Sequence, residues 1–343
     1  MKLCDIKFVS EGRCFLVLIA AVFLLFAACE KQEKGYILPA RPNNLFNVYQ
    51  FNLGENYEDQ VYLNFLDSNP VKTTIKCNSW DLAFDCNILS TRIFMNGGKG
   101  VLIATNGRGN FSDNINLNQL KWRWDEASGG DSIVFNRWLN PLQPGYDSVY
   151  IIDRGAESPP EERYYQFRLA FLFDDFAIDV ADIKGKKLFS GNLHKDPGKN
   201  LLFFDFTKPY PLNVEPRNND WHFCFMRYRW IYYEFKPPLL YYVTGININP
   251  KTISVAVDST LTFEDIGIHD IENLRYSNRR DVMGFDWKVY DFNKGKYMVR
   301  KYVTYLIKTK GRNASYFKLR FIDFYSSKGV KGSPKFEVFK VIR

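Results

Sequence analysis

The sequence predicts an all-β protein of mostly antiparallel sheets, arranged as two similar tandem β-domains. Three observations carry that expectation. The first is composition: 30 Phe, 21 Tyr and 7 Trp among 343 residues, with many Val and Ile, favour pleated, half-buried strands. The second is period. Phe317, Leu319 and Phe321 alternate with Lys318 and Arg320, and beyond a turn region Phe336 and Val338 alternate with Lys335 and Glu337. One wet face and one dry face is the pattern of an antiparallel hairpin. Residues 244–250 lead into Ile253, Val255 and Val257 as another strand–turn–strand unit, and no long stretch carries a helical stripe. The third is an internal repeat. Residues 61–84 align without gaps to 202–225, with Phe65, Pro70, Asn78, Trp80 and Phe84 matched by Phe206, Pro211, Asn219, Trp221 and Phe225 at a constant shift of 141. A second block, 149–152 with 164–169, matches 304–307 with 316–321 in the same order.

The chain begins with a basic leader, Lys2, Lys7 and Arg13, followed by an unbroken apolar run over residues 15–28. Those fourteen residues span only about 21 Å as a helix, too short to cross a bilayer. A basic start, a short apolar centre and small residues before a cut describe a secretory signal, residues 1–28. Phe26-Ala27-Ala28-Cys29 is similar to the bacterial lipobox, which makes Cys29 the expected lipid-attachment residue and mature N-terminus. Residues 29–35, rich in Glu and Lys, then serve as a tether. The repeat divides the remainder into domain 1 at about 36–185 and domain 2 at about 186–343. The Lys/Gly-rich segments 184–187 and 194–199 are the expected joints.

The formal net charge is +8. In a cytosolic protein a basic, aromatic-rich surface would raise nucleic acid as a partner. An exported chain without a recognition motif points away from nucleic acid and toward anionic lipids, lipopolysaccharide or anionic small ligands. Cys77, Cys86 and Cys224 remain in the mature chain, too few for a disulfide scaffold. If residues 78–85 are extended, Cys77 and Cys86 lie roughly 30 Å apart, so all three thiols are expected to be free.

Asn78-Ser79-Trp80-Asp81-Leu82-Ala83-Phe84, then Asn96-Gly97-Gly98-Lys99-Gly100-Val101, resembles the HmuY-like family of Bacteroidetes lipoproteins. The closing segments 316–321 and 331–337 resemble the last hairpin of that family. The resemblance implies a mostly-β haem-binding protein at the outer membrane or cell surface, with a TonB-dependent receptor as the partner that takes the haem onward. It also implies two axial ligands, histidines in the founding type and methionine in some relatives. Counting from Trp287, the second histidine's place is held by about Phe292, and counting from Trp138 in the first repeat, by about Gln143. The other ligand region offers His269 and Met283, which become the expected cofactor-binding pair. Independently of the family, Trp80, Leu82 and Phe84 read as one core face, with Asp81 opposite, capping backbone N–H groups.

Other chemistry is sparse. His194, His222 and His269 have no metal-type spacing. His222, Cys224 and Met226 fall on one face of a strand as a row of soft donors for copper or haem iron, although Cys224 aligns with Ala83, which reads as a small core position. Asp174, Asp175, Asp179 and Asp182 lack the EF-hand spacing and read as a solvated loop. No nucleophile elbow, P-loop or dinucleotide pattern is present, and the expectation is not an enzyme. Three classes stay open: a haem or porphyrin binder serving an outer-membrane transporter; a glycan or peptide module, whose aromatics would be exposed on loops; and an adhesive surface protein.

Overall fold

The alternation at the C-terminus is a strand in space: Phe317, Leu319 and Phe321 enter a core, and Lys318 and Arg320 face the other way. In the computed structural model, residues 46–139, 148–172 and 174–342 are described. The signal, the tether and Cys29, together with Gln143, lie outside the described residues.

The first half of the chain forms β1 (Phe46–Gln50), β2 (Asp59–Leu63), β3 (Val71–Lys76), β4 (Leu82–Asp85), β5 (Ile93–Met95), β6 (Leu102–Arg108), β7 (Ser148–Asp153), β8 (Tyr164–Leu172) and β9 (Asp175–Asp182). The second forms β10 (Lys187–Leu193), β11 (Leu201–Phe204), β12 (Phe223–Tyr232), β13 (Leu239–Ile248), β14 (Ile253–Asp258), β15 (Lys288–Asp291), β16 (Lys296–Val299), β17 (Thr304–Thr309), β18 (Tyr316–Tyr325) and β19 (Lys331–Val341). Every pairing is antiparallel, and the fold is all-β as expected.

These strands build two sandwiches. In the first, the sheet β10-β9-β8-β7-β6 covers the sheet β11-β4-β5, and Leu82, Phe84, Ile103, Ile152, Phe167, Ile178 and Phe204 share its core. In the second, β1-β19-β18-β17-β14 covers β13-β12-β2-β3 around Val61, Leu63, Phe223, Phe225, Val255, Ile307 and Leu319. The two inner sheets meet back to back, and a third core of Tyr62, Trp80, Ala83, Phe203, Trp221 and Cys224 fills the space between them. A cavity of about 70 Å³ lies within this third core.

The repeat is visible in register. β2 pairs with β12 through Val61↔Phe225, Tyr62↔Cys224 and Leu63↔Phe223. β11 pairs with β4 through Leu202↔Phe84, Phe203↔Ala83 and Phe204↔Leu82, the same pairs after a shift of 141. Trp80 meets Phe203 edge-on at 4.9 Å, and Trp221 meets Tyr62 edge-on at 5.0 Å. The outer sheets repeat likewise: Tyr150↔Phe167 and Ile152↔Tyr165 correspond to Tyr305↔Leu319 and Ile307↔Phe317.

Each half of the sequence therefore gives its first strands to the other half's sandwich. β1, β2 and β3 complete the second sandwich, and β10 and β11 complete the first. The expected division at 185/186 is corrected by this pairing: it falls in the turn of the β9–β10 hairpin, where the Asp182 carboxylate accepts from the Lys184 and Lys186 amides. The repeats interleave because β2 and β11 each find their sheet partner in the opposite half.

Candidate functional site

β12 and β13 pair over their full lengths, from Phe223↔Ile248 to Tyr232↔Leu239, but β2 covers β12 only at 223–225. Beyond Phe225 the hairpin has no third strand beside it; Tyr228, Arg229 and Ile231 stay buried, with Arg229 donating to the Val101 carbonyl, and the stretch from Tyr233 to Tyr242 is exposed. Its sequence nevertheless stays apolar, Trp230-Ile231-Tyr232-Tyr233-Glu234-Phe235-Lys236-Pro237-Pro238-Leu239-Leu240-Tyr241-Tyr242. The result is a projecting aromatic hairpin on which Tyr233, Phe235, Leu239, Leu240, Tyr241 and Tyr242 are all exposed.

A second, short hairpin, β15–β16, stands beside it. Its root is Trp287, buried and stacked on Phe321 at 4.0 Å. The Lys288 ammonium is buried under the same root, where it donates to the Thr244 carbonyl at 2.6 Å and lies 4.4 Å from the Trp287 ring centre. Burial pushes this lysine down to about 7, with Asp286 acting in the opposite direction. At the tip, Phe292 is 88% exposed and meets Tyr290 edge-on at 5.1 Å; Tyr290 in turn meets Tyr297 at 5.2 Å. Trp230 of the long hairpin meets Phe285, just ahead of the short hairpin's root, edge-on at 5.1 Å, so the two hairpins rise from adjoining positions. Burial raises the hydroxyls of both Tyr57 and Tyr297.

The expected ligand pair is not assembled. Met283 is 1% exposed inside the second sandwich with Tyr305 and Ile307. His269 sits on a single helical turn, Ile268–Ile271, with its side chain in solvent opposite Glu272 at 3.6 Å. Ile271 of that turn packs on Leu306, which faces away from Tyr305 and Ile307. His269 and Met283 thus lie on opposite sides of one sheet, and a disc held between them is excluded by β17 itself. The three-residue alternation Tyr305-Leu306-Ile307 is the physical reason for this correction.

The soft-donor row is core as well. Cys224 and Met226 share the third core with Ala83, and burial pushes the Cys224 thiol up to about 12. His222 packs on Phe65 with ring centres 4.4 Å apart, and burial pushes it down to about 4. Cys77, Cys86 and Cys224 are all free and buried. The acidic stretch is a hairpin: Asp175 faces His194, Asp179 faces Arg168, and Asp182 caps its turn. No cluster of three or more metal-binding side chains occurs among the described residues.

The Trp-Asp strand is structural. Leu82 and Phe84 enter the first sandwich, whereas Trp80, ahead of β4, turns to the third core with Ala83, so the three do not share one face. The Asp81 carboxylate accepts from the Phe206 amide, the expected cap. It also binds Lys99 at 2.5 Å and Arg154 at 2.8 Å, both buried. Arg154 bridges onward to Asp205 at 2.7 Å. Asn96 donates to the carbonyls of Cys77 and Trp80, and Asn249 repeats this with Asn218 and Trp221.

One family model, described as HmuY protein, matches residues 56–338 and so runs through both interleaved sandwiches. The chain belongs to the HmuY family. Its single match covers both repeats, as the exchanged strands require of a fold that is complete only with both halves. No curated protein matches the chain. Within this HmuY-family fold the aromatic hairpins are the feature that sequence reading missed. Their signal was the run 230–242, six aromatics in thirteen residues without the alternation of a half-buried strand.

Proposed function

We propose that this HmuY-family chain is an exported lipoprotein, anchored through Cys29, that binds a flat apolar ligand of the haem class on its two aromatic hairpins. The observation that carries the reading is the run of touching rings Phe292, Tyr290 and Tyr297 on the short hairpin, near the exposed aromatics of the long one, at the place where the family resemblance locates a ligand to the iron. Stacked aromatic contacts add about 0.5–1.5 kcal/mol each beyond area burial. Added to the apolar area that a flat ligand buries, they are expected to reach micromolar affinity, about 8 kcal/mol, without an axial bond.

The donor set fits haem by stacking rather than by a histidine clamp. No histidine lies in residues 230–242 or 288–299. Met298, opposite Val289 in the β15–β16 ladder, is the thioether nearest this surface in sequence, and strand alternation puts it on the face away from Tyr290 and Tyr297. A ligand of the haem class held there would meet aromatic rings rather than a histidine pair, and a TonB-dependent receptor at the outer membrane is the proposed recipient. The chain acts as a carrier in this reading and not as an enzyme. Cys29→Ala is expected to abolish partitioning into detergent.

The test is an absorbance titration of residues 30–343 with haem. Saturable Soret growth in the micromolar range, without the spectrum of two-histidine ligation, supports the reading. No Soret change at tens of micromolar overturns it. The second reading is then a glycan module, because exposed Tyr and Phe beside Asn293 and Lys294 also suit the apolar face and hydroxyls of a sugar.

A further inference from the structure

A cleft of about 580 Å³ opens where loops of the two sandwiches meet, and it shares no lining residue with the hairpins. Arg92 and Phe94 come from the first sandwich, Lys251, Arg279 and Arg280 from the second, and Asp85 is the one carboxylate among the lining residues. The Arg92 and Arg280 guanidinium carbons lie 5.3 Å and 5.0 Å from the centre of the same Phe94 ring. Like charges gathered on one ring repel, and the ring quadrupole offsets only about 0.5–1 kcal/mol of that at a partly exposed site.

The cations are unequally satisfied. Arg92 donates to the Gly129 and Gly130 carbonyls, Lys251 to the Lys199 carbonyl, and Arg279 pairs with Asp281. Arg280 has no carboxylate within ion-pair distance among the described residues. Its Nε, the Nε of Arg92 and the Oδ1 of Asn200 are buried without a hydrogen-bond partner. Buried polar atoms normally find partners, so this Arg pair at the cleft keeps hydrogen-bonding capacity that the protein does not use. Guanidinium forks match planar or tetrahedral oxyanions, which take two parallel N–H bonds at once. The net charge of +8 favours the approach of such a ligand.

We propose that this inter-sandwich cleft binds a ligand bearing two or more phosphate-type oxyanions, gripped between Arg92 and Arg280. The chemistry is shared by a small soluble polyphosphate and by the phosphorylated headgroup of a lipid. Calorimetry of the mature chain with pyrophosphate tests the first source, and co-sedimentation with vesicles carrying a phosphomonoester lipid, against zwitterionic vesicles, tests the second. Binding in at least one arm is expected, weakening as salt rises. Arg280→Gln is expected to lower it by about tenfold or more, the loss of a charge-assisted hydrogen-bond pair. Arg280→Lys should recover part of the loss, and Lys340→Gln, far from the cleft in sequence, should change nothing. Arg92→Gln repeats the test should Arg280→Gln not keep the parent's circular dichroism and melting temperature. Absence of binding in both arms at about 1 mM ligand, or binding that Lys340→Gln weakens as much as the arginine variants, overturns the proposal.

Discussion

Asp81 shows how a residue that reads as a turn cap in sequence becomes the centre of a buried charge network. Its cap on the Phe206 amide follows from local chemistry. Lys99 and Arg154 stand 18 and 73 residues away, so no local pattern could assign them to it. Asp81→Ala leaves Lys99 without its carboxylate and Arg154 with Asp205 and the half-exposed Glu162, and is expected to cost about 3–5 kcal/mol in denaturant unfolding. Lys288 gives a second expectation at this scale. Folded, it releases its proton near pH 7; unfolded, near 10.5. Between those values the unfolded chain holds more protons, so stability should rise with pH through that window. Lys288→Met should raise the melting temperature most at pH 7 and below, and flatten the rise. The thiols are free as expected, but not through one extended segment: Cys77 lies in the turn that follows β3, Cys86 directly after β4, and residues 77–81 are not a strand.

At the scale of the element, alternation identified the strands with one wet face, such as β18 and β19, because burial on one side imposes a period of two. It gave no account of the stretch 230–242, where apolar side chains follow one another without alternation although most of them are exposed. A site made from an unsupported hairpin has to be found by exposure, since its composition resembles that of a fully buried strand. The hairpin should also be dispensable for folding. Replacing residues 231–240 by a short Asn-Gly turn removes no residue of the second sandwich's core and is expected to leave the melting temperature within a few degrees of the parent. A collapse of the fold would show that the projecting strands are structural. His269 and Met283 failed as a pair at this same scale, because one strand, β17, sends Leu306 to one side and Tyr305 and Ile307 to the other.

At the scale of the whole molecule, the repeat was legible as a shift of 141, but its consequence was not. A gapless alignment says that two segments share a structure; it does not say which copy each strand pairs with. Here Leu63 pairs with Phe223 and Phe204 with Leu82, so neither half closes its own sheets. Residues 36–185 and 186–343 expressed separately are therefore expected to lack cooperative unfolding, and mixing them should restore it. The exchange also places both hairpins on one body, since β12, β13, β15 and β16 all belong to the second half of the sequence while β2 from the first secures β12. The measurement that most directly tests the central claim is a Soret titration with haem of the parent, Tyr290→Ala/Phe292→Ala and His269→Ala, side by side. The double variant is expected to lose most of the affinity while His269→Ala titrates like the parent. Equal titration by the parent and the double variant, or loss in His269→Ala alone, would contradict the aromatic-hairpin site.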